Sequence, residues 1–449
     1  MTDDDPALDR ALGRAWRDDA PRRLLTRLTE LDDRLGGHPG ERRAADLVAD
    51  ALDAAGARDV RRRPFEMARW TRRGTDLAVS VPDRGIERAF EAVALPYTPP
   101  CDCRGELVDV GYGTPETIAD ADVAGDVVVA STETPPGFGR YLHRVEKVGA
   151  AAEAGAAAFV FANHVPGQLP PTGSLRFGRE AAIPGVGVSR ETGDWLREYA
   201  AEGATATLRV DATTAPGESR NVTAVLGPDT REELLVVAHY DAHDVGEGAL
   251  DNACGVATLA GAARILADLD LDFRVRLAGV GCEELGLLGS EALADRLDLD
   301  RVRAVVNLDG VGRYRRLRAL AHGSAATEAV AERVAERVGH PVEAESRPPP
   351  HSDHWPFVRE GVPALQLHSR RSERDRRWQR GWTHTRADTR DKTDARTIRE
   401  HAMLTALLVR ELAGAELPRL DPADVRDHLR EAGAEAGMRA AGIWPDGWD

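Results

Sequence analysis

Downstream of Ala215-Pro216-Gly217 the chain alternates between apolar runs of strand length and helical stretches, and that rhythm limits the folds open to it. Leu234-Leu235-Val236-Val237 lies inside a strand-length run from Glu233 to Ala238. Gly255 to Leu269 then places Val256, Leu259, Ala260, Ala263 and Leu266 at helical spacing. Phe273 to Val280 reads as a strand, Leu287 to Leu297 as a helix and Val302 to Leu308 as a strand. A strand at Ala364-Leu365-Gln366-Leu367 and a helix from about Asp394 to Leu412 follow. Such alternation implies right-handed crossovers, hence an α/β fold with a mostly parallel central sheet flanked by helices.

The preceding residues have another texture. Residues 7–56 read as two amphipathic helices broken at Gly36-Gly37-His38-Pro39-Gly40, the second running from Glu41 to Ala55. Short strands are expected from Asp59 to Ser80. Residues 90–212 form a unit of their own, with a buried-strand run Gly125 to Ala130, an Ala-rich helix Lys147 to Ala156, and strands Ala158–Phe161 and Ile183–Val188. A chain of 449 residues exceeds one compact core. The expected division is a discontinuous domain of residues 1–89 and 213–415, an insertion of residues 90–212, and a tail of residues 416–449 whose Trp444 and Trp448 should pack.

Asp and Glu number 75 against 59 Lys and Arg, a net charge of −16, which argues against a nucleic-acid partner. Lys147 and Lys392 are the only lysines, and Asp with so little Lys suits a hydrated surface in brine, a halophilic adaptation, although a GC-rich genome alone would also favour Arg. No apolar run approaches the roughly 20 residues of a membrane span, so no membrane partner is expected. The acidic start Met1-Thr2-Asp3-Asp4-Asp5-Pro6 lacks the layout of a signal peptide. The four cysteines are too few for a disulfide scaffold, and Cys101 and Cys103 have no matching Cys/His pair. A cytoplasmic location is the expectation.

In an open α/β sheet, reactive groups gather where strands end. His239 and Asp241 follow one strand, Asp251-Asn252 precede a helix, Glu283-Glu284 and Asp309 follow two further strands, and His384 precedes the last helix. His, Asp, Glu, Asp and His form a nitrogen–oxygen set suited to zinc or a similar divalent ion. Five ligands hold two ions if one carboxylate bridges, an arrangement suited to hydrolysis. The adjacent glutamates point in different directions, so one can bind metal while the other serves as general base. Each residue also has a structural reading: Asp251-Asn252 as a helix cap, Glu283-Glu284 as a match to a helix dipole, Asp309-Gly310 as a turn. Their convergence on one sheet edge favours the site.

His239-Tyr240-Asp241, Gly248-Ala249-Leu250-Asp251-Asn252-Ala253-Cys254-Gly255, Glu283-Glu284, Asn307-Leu308-Asp309-Gly310, and Thr383-His384-Thr385 with Asp388 together resemble the co-catalytic zinc aminopeptidases of peptidase clan MH. That group includes leucyl aminopeptidases, aminopeptidase Y and related dipeptidases. The resemblance implies a zinc-exopeptidase (phosphorylase/hydrolase-like) fold and two Zn2+ per chain, with cobalt or manganese as substitutes. It assigns His239 and Asp309 to one ion, Glu284 and His384 to the other, and Asp251 as the bridge. Glu283 becomes the general base, and Asp241 orients the ring of His239. His243 is a rival first ligand, which the family pattern sets behind His239. Ser352-Asp353-His354-Trp355-Pro356-Phe357 is similar to the pocket-lining segment, which makes His351 and His354 near-site candidates. Cys254 and Cys282 read as small packing residues.

Residues 90–212 resemble a smaller, β-rich protease-associated domain, which in such proteins shapes access or mediates assembly. The implied activity is release of N-terminal amino acids from a peptide or dipeptide substrate, and a homo-oligomer is compatible with it. A dipeptidase or carboxypeptidase is the alternative, with Arg370, Arg371, Arg374, Arg376, Arg377 and Arg380 read either as a carboxylate clamp or as partners of surface Asp and Glu. A non-catalytic binding protein and a glutaminyl cyclase-like acyltransferase rank behind, because the ligand set is complete.

Overall fold

A computed structural model describes residues 5–347, 349–370 and 381–448. The chain divides into two compact units. One comprises Met1–Glu66, Glu218–Trp378 and Asp388–Leu429, the other Met67–Gly217, Gln379–Ala387 and Arg430–Asp449.

In the first unit the strand order is Val342–Glu345, Leu317–Leu320, Ala364–Ser369, Val302–Leu308, Glu233–His239, Arg274–Val280, and then the end of Thr205–Leu226. The four strands from Ala364–Ser369 to Arg274–Val280 are mutually parallel, as the strand–helix alternation requires. Antiparallel partners flank them, Leu317–Leu320 on one side and residues 222–226 on the other. The expected α/β fold holds, with a mixed sheet whose centre is parallel.

Every residue of the Glu233–His239 strand is buried, which explains its continuous apolar run in place of alternation. The helix Cys254–Ala267 is buried around almost its whole circumference, and its residues share one core with Ala395–Gly414. Each Val or Leu taken from water there contributes about 1.5–3 kcal/mol.

Elements differ from expectation where local pattern is weak. The N-terminal region forms three helices, Pro6–Ala15, Ala20–Thr29 and Pro39–Ala54. Pro21 lies in the first turn of the second, where its missing N–H costs nothing, so that helix starts afresh after residues 16–19. The short strands expected from Asp59 are one long strand, Arg58–Val81. The helix expected from Leu287 to Leu297 is only Leu288–Ala294. The helix Ala325–Val338 and the strands at 317 and 342 have no counterpart in the sequence reading.

The second unit has its own parallel core, in which Val127–Ser131 pairs with Ala158–Ala162 and the latter with Gly185–Val188. Phe159 and Phe161, with ring centroids 4.4 Å apart, pack in a cluster with Val128, Ala130 and Leu175. Lys147 is fully buried there, donating to the carbonyls of Ser131 (2.7 Å) and Glu133 (2.9 Å), and burial presses its pKa down to about 7. Trp444 and Trp448 are both buried and meet edge to face at 5.3 Å. Among the described residues, no helix is long and apolar enough to cross a membrane.

Candidate active site

Parallel register sets Val280 beside His239 and Asn307 beside Val237. Counting outward along both chains, Asp309 reaches the level of His239, and Glu283 leaves the same edge three residues past Val280. Strand pairing alone therefore gathers these side chains.

His239 is fully buried. Its Nε2 lies 3.2 Å from Asp251 Oδ1 and 3.9 Å from Asp309 Oδ1. Ligand atoms of His239, Asp251 and Asp309 all fall within 4.8 Å of one another. On the far side of the ring, Nδ1 is 3.3 Å from Asp241 Oδ1. Asp241 also accepts from the backbone N–H groups of Glu283 (3.1 Å) and Glu284 (3.2 Å). One buried carboxylate thus holds the imidazole and both glutamates in place.

The Asp251 loop is held by residues far away in sequence. Asp388 accepts from Leu250 N–H (2.7 Å) and Asp251 N–H (3.1 Å). Arg34 is buried and donates to the Gly248 carbonyl at 2.8 Å; burial lowers its pKa to about 10. Gly248 has φ +52, and a Cβ there would meet the Ala242 methyl at 2.2 Å and Arg34 at 2.4 Å, so only glycine fits. Asn252, not Asp251, serves the helix end: its Oδ1 accepts from Gly255 N–H (3.2 Å) and its Nδ2 donates to the Leu308 carbonyl (2.7 Å). The Asp251–Asn252 peptide bond is cis.

Asp309 is steadied by Ser352 Oγ at 2.7 Å, which in turn accepts from Asn307 at 2.7 Å. His354 lies 3.2 Å from Asn307 through Nδ1 and 2.8 Å from the Pro349 carbonyl through Nε2, and it stacks on His322 at 3.9 Å. It is a structural neighbour of the site. His351 is half-buried. His243 sits apart from the His239 group, with Nε2 2.9 Å from Glu284 Oε2. His384 belongs to the segment clustered with the second unit. It is buried with φ +58, and its Nδ1 lies 3.3 Å from the Thr172 carbonyl, which assigns the lone pair to Nε2.

Charge is concentrated here. Burial alone would favour neutral His239, but Glu283, Asp241, Asp251 and Asp309 outweigh it and raise its pKa well above the usual value. The Glu283 carboxyl is raised by burial, lowered by His239, and raised by Glu284, Asp353 and Asp309. Asp353, fully buried, is pushed up to about 7, chiefly by burial. So many carboxylates around one imidazole are a donor set with a deficit of positive charge, which a divalent cation offsets.

Cys254 donates to the Leu250 carbonyl at 3.0 Å, and Cys282 lies 3.6 Å from Glu41; both are buried, and burial raises both thiol pKa values. They pack, as expected. Of the arginine cluster, Arg370 pairs with Glu343, and Arg371, Arg374, Arg376, Arg377 and Arg380 lie outside the described residues. Sequence reasoning missed Arg34 and Glu41, whose neighbourhoods in sequence carry no sign of the site. Glu41 is buried against Ser219 (2.6 Å) and Gly37 N–H (2.7 Å), and burial raises its carboxyl to about 8.

The model of peptidase family M28 matches residues 221–409, which carry His239 through Asp388, and the PA domain model matches residues 98–196. The chain thus carries a region similar to peptidase family M28 and a region similar to a PA domain. Aminopeptidase YwaD of Bacillus subtilis is 35% identical over 173 residues, 37% of this chain and 37% of that protein. Leucine aminopeptidase 2 of Arthroderma otae is 29% identical over 287 residues, 62% of this chain and 55% of that protein. The chain thus spans about half, or less, of the length of these curated relatives. Among solved structures, the aminopeptidase from Aneurinibacillus sp. strain AM-1 superimposes with a TM-score of 0.67 at 26% identity, covering 90% of this chain and 95% of that one. BSAP, a zinc aminopeptidase from Bacillus subtilis, gives 0.70 at 24% identity, over 91% and 97%, a likeness of fold.

Proposed function

We propose that this protein is a dinuclear zinc aminopeptidase that hydrolyses the peptide bond after the N-terminal residue of a peptide. The observation that carries the reading is the His239–Asp251–Asp309 group, within 4.8 Å, whose neighbouring carboxylates leave room for a cation but none for further negative charge. The M28 match and the aminopeptidase relatives support it.

In line with the family resemblance, His239 and Asp309 would hold one ion, Glu284 and His384 the other, and Asp251 would serve both. Bound zinc supplies Lewis acidity at the scissile carbonyl and lowers the pKa of water. Glu283, whose burial and acidic neighbours favour proton uptake, accepts a proton from the attacking water and delivers it to the leaving amine. Asp241 keeps Nδ1 of His239 protonated, so that Nε2 faces the ion. The proposed domain division is residues 1–89 and 213–415 for catalysis, 90–212 for the PA insertion and 416–449 for the tail. A salt-rich, reducing cytoplasm is part of the same proposal, supported by the net charge of −16 and the four free thiols.

The test is release of an aminoacyl chromophore by purified protein, with bound zinc counted per chain. Chelator should abolish release and two equivalents of zinc restore it, and free and amidated dipeptides should be cut alike. Chelator-insensitive hydrolysis, or a requirement for a free C-terminal carboxylate, refutes the assignment. Activity that rises with potassium chloride supports the salt-rich setting, and activity that only falls refutes it.

A further inference from the structure

We propose that His243 is an additional ligand of the ion held by Glu284, an inference that rests on the two-ion reading. Sequence alone left His243 competing with His239 for the first ion. In the fold that competition disappears, because the first group is complete with His239, Asp251 and Asp309. His243 stands instead at Glu284, Nε2 to Oε2 at 2.9 Å, and both side chains are 4% exposed.

Two features hold the imidazole there. Ala242 N–H, one residue before, donates to the Arg34 carbonyl at 3.1 Å. The Glu284 backbone is fixed by Asp241 at 3.2 Å. Neither partner is a mobile surface group.

The separation also suits shared coordination. A zinc–nitrogen bond of about 2.0–2.1 Å and a zinc–oxygen bond of about 2.0–2.2 Å place the two donor atoms about 2.9 Å apart when they meet at a right angle. A tetrahedral angle would part them by about 3.4 Å. The observed separation lets both atoms reach one ion, so His243 would join the family ligands rather than replace one. A second imidazole at this ion would favour zinc or cobalt over harder ions such as magnesium and manganese.

X-ray absorption on the full-length protein loaded with zinc counts the imidazoles directly. The expected result is three histidines per pair of zinc ions in the wild type and two in both His243→Ala and His243→Phe. Loss of this ligand should also weaken the second zinc equivalent by at least about tenfold. Melting of the metal-free proteins checks that each variant folds, and the wild-type count stands without them. Two histidines per zinc pair in the wild type, or an unchanged count in a folded variant, overturns the inference. If the wild type takes up fewer than two zinc ions, the two-ion reading fails first, and the stoichiometry reports that separately.

Discussion

Asp241→Asn isolates the residue on which the site's geometry converges. The carboxylate serves three groups: His239 Nδ1 at 3.3 Å and the N–H groups of Glu283 and Glu284 at 3.1 and 3.2 Å. An amide of the same shape has a single oxygen. However it is oriented, its NH2 faces a backbone N–H or the Nδ1 proton of His239. At least one buried donor then loses its acceptor, at about 1–3 kcal/mol. That range corresponds to a factor of about 5 to 150, which brackets the 10–100-fold typical when a partner of a metal-bound histidine is removed. The assay is zinc affinity by competition with a chromophoric chelator, then kcat and KM at saturating zinc. Zinc affinity should fall about 10–100-fold. Turnover should stay depressed after reloading, because whichever of His239, Glu283 and Glu284 loses its acceptor is no longer held in place. A folded Asp241→Asn protein with wild-type zinc affinity and kcat would refute the reasoning.

Further outcomes follow from the same contacts. Glu283→Gln should cut kcat by at least about a hundredfold while both zinc ions stay bound; loss of zinc would make Glu283 a ligand instead. Glu41→Gln should change how stability responds to pH. With its folded pKa raised from 4.5 to about 8, Glu41 contributes stability that is fully present below pH 4.5 and is lost as pH rises to about 8. At most this amounts to about 5 kcal/mol. Denaturant midpoints of the metal-free protein at pH 5 and pH 8 should therefore diverge more in the wild type than in Glu41→Gln, and equal divergence rules the linkage out. Gly248→Ala should lower the melting temperature and weaken zinc binding together, because its methyl group would collide with Ala242 and Arg34; an unperturbed melt and zinc titration would contradict the steric argument.

Much of the fold was legible because its signals are local. A fully buried parallel strand reads as an unbroken apolar run, and a helix as apolar residues at its own period. The Val302–Leu308 strand was read at its observed bounds, and the Cys254–Ala267 and Ala395–Gly414 helices to within two residues. The strands at 317 and 342 were not legible: they are four residues long and the second is only half-buried, so little apolar pattern marks them.

The site divides in the same way. Residue type and position after a strand singled out His239, Glu283, Glu284 and Asp309, because parallel pairing carries such strand ends to one edge of the sheet, and Asp251 was singled out by its place before a helix. Which imidazole meets which carboxylate was beyond that logic. His239 and His243 are four residues apart and chemically identical. Only the turn between them, held by Arg34, sends one toward Asp251 and the other toward Glu284. Asp251-Asn252 likewise fitted a helix cap, and only the fold gave the capping contact to Asn252 and held the Asp251 backbone at Asp388. Periodicity and composition are properties of neighbours along the chain, whereas a donor set is made by hydrogen bonds and packing between segments a hundred or more residues apart, which no local pattern records.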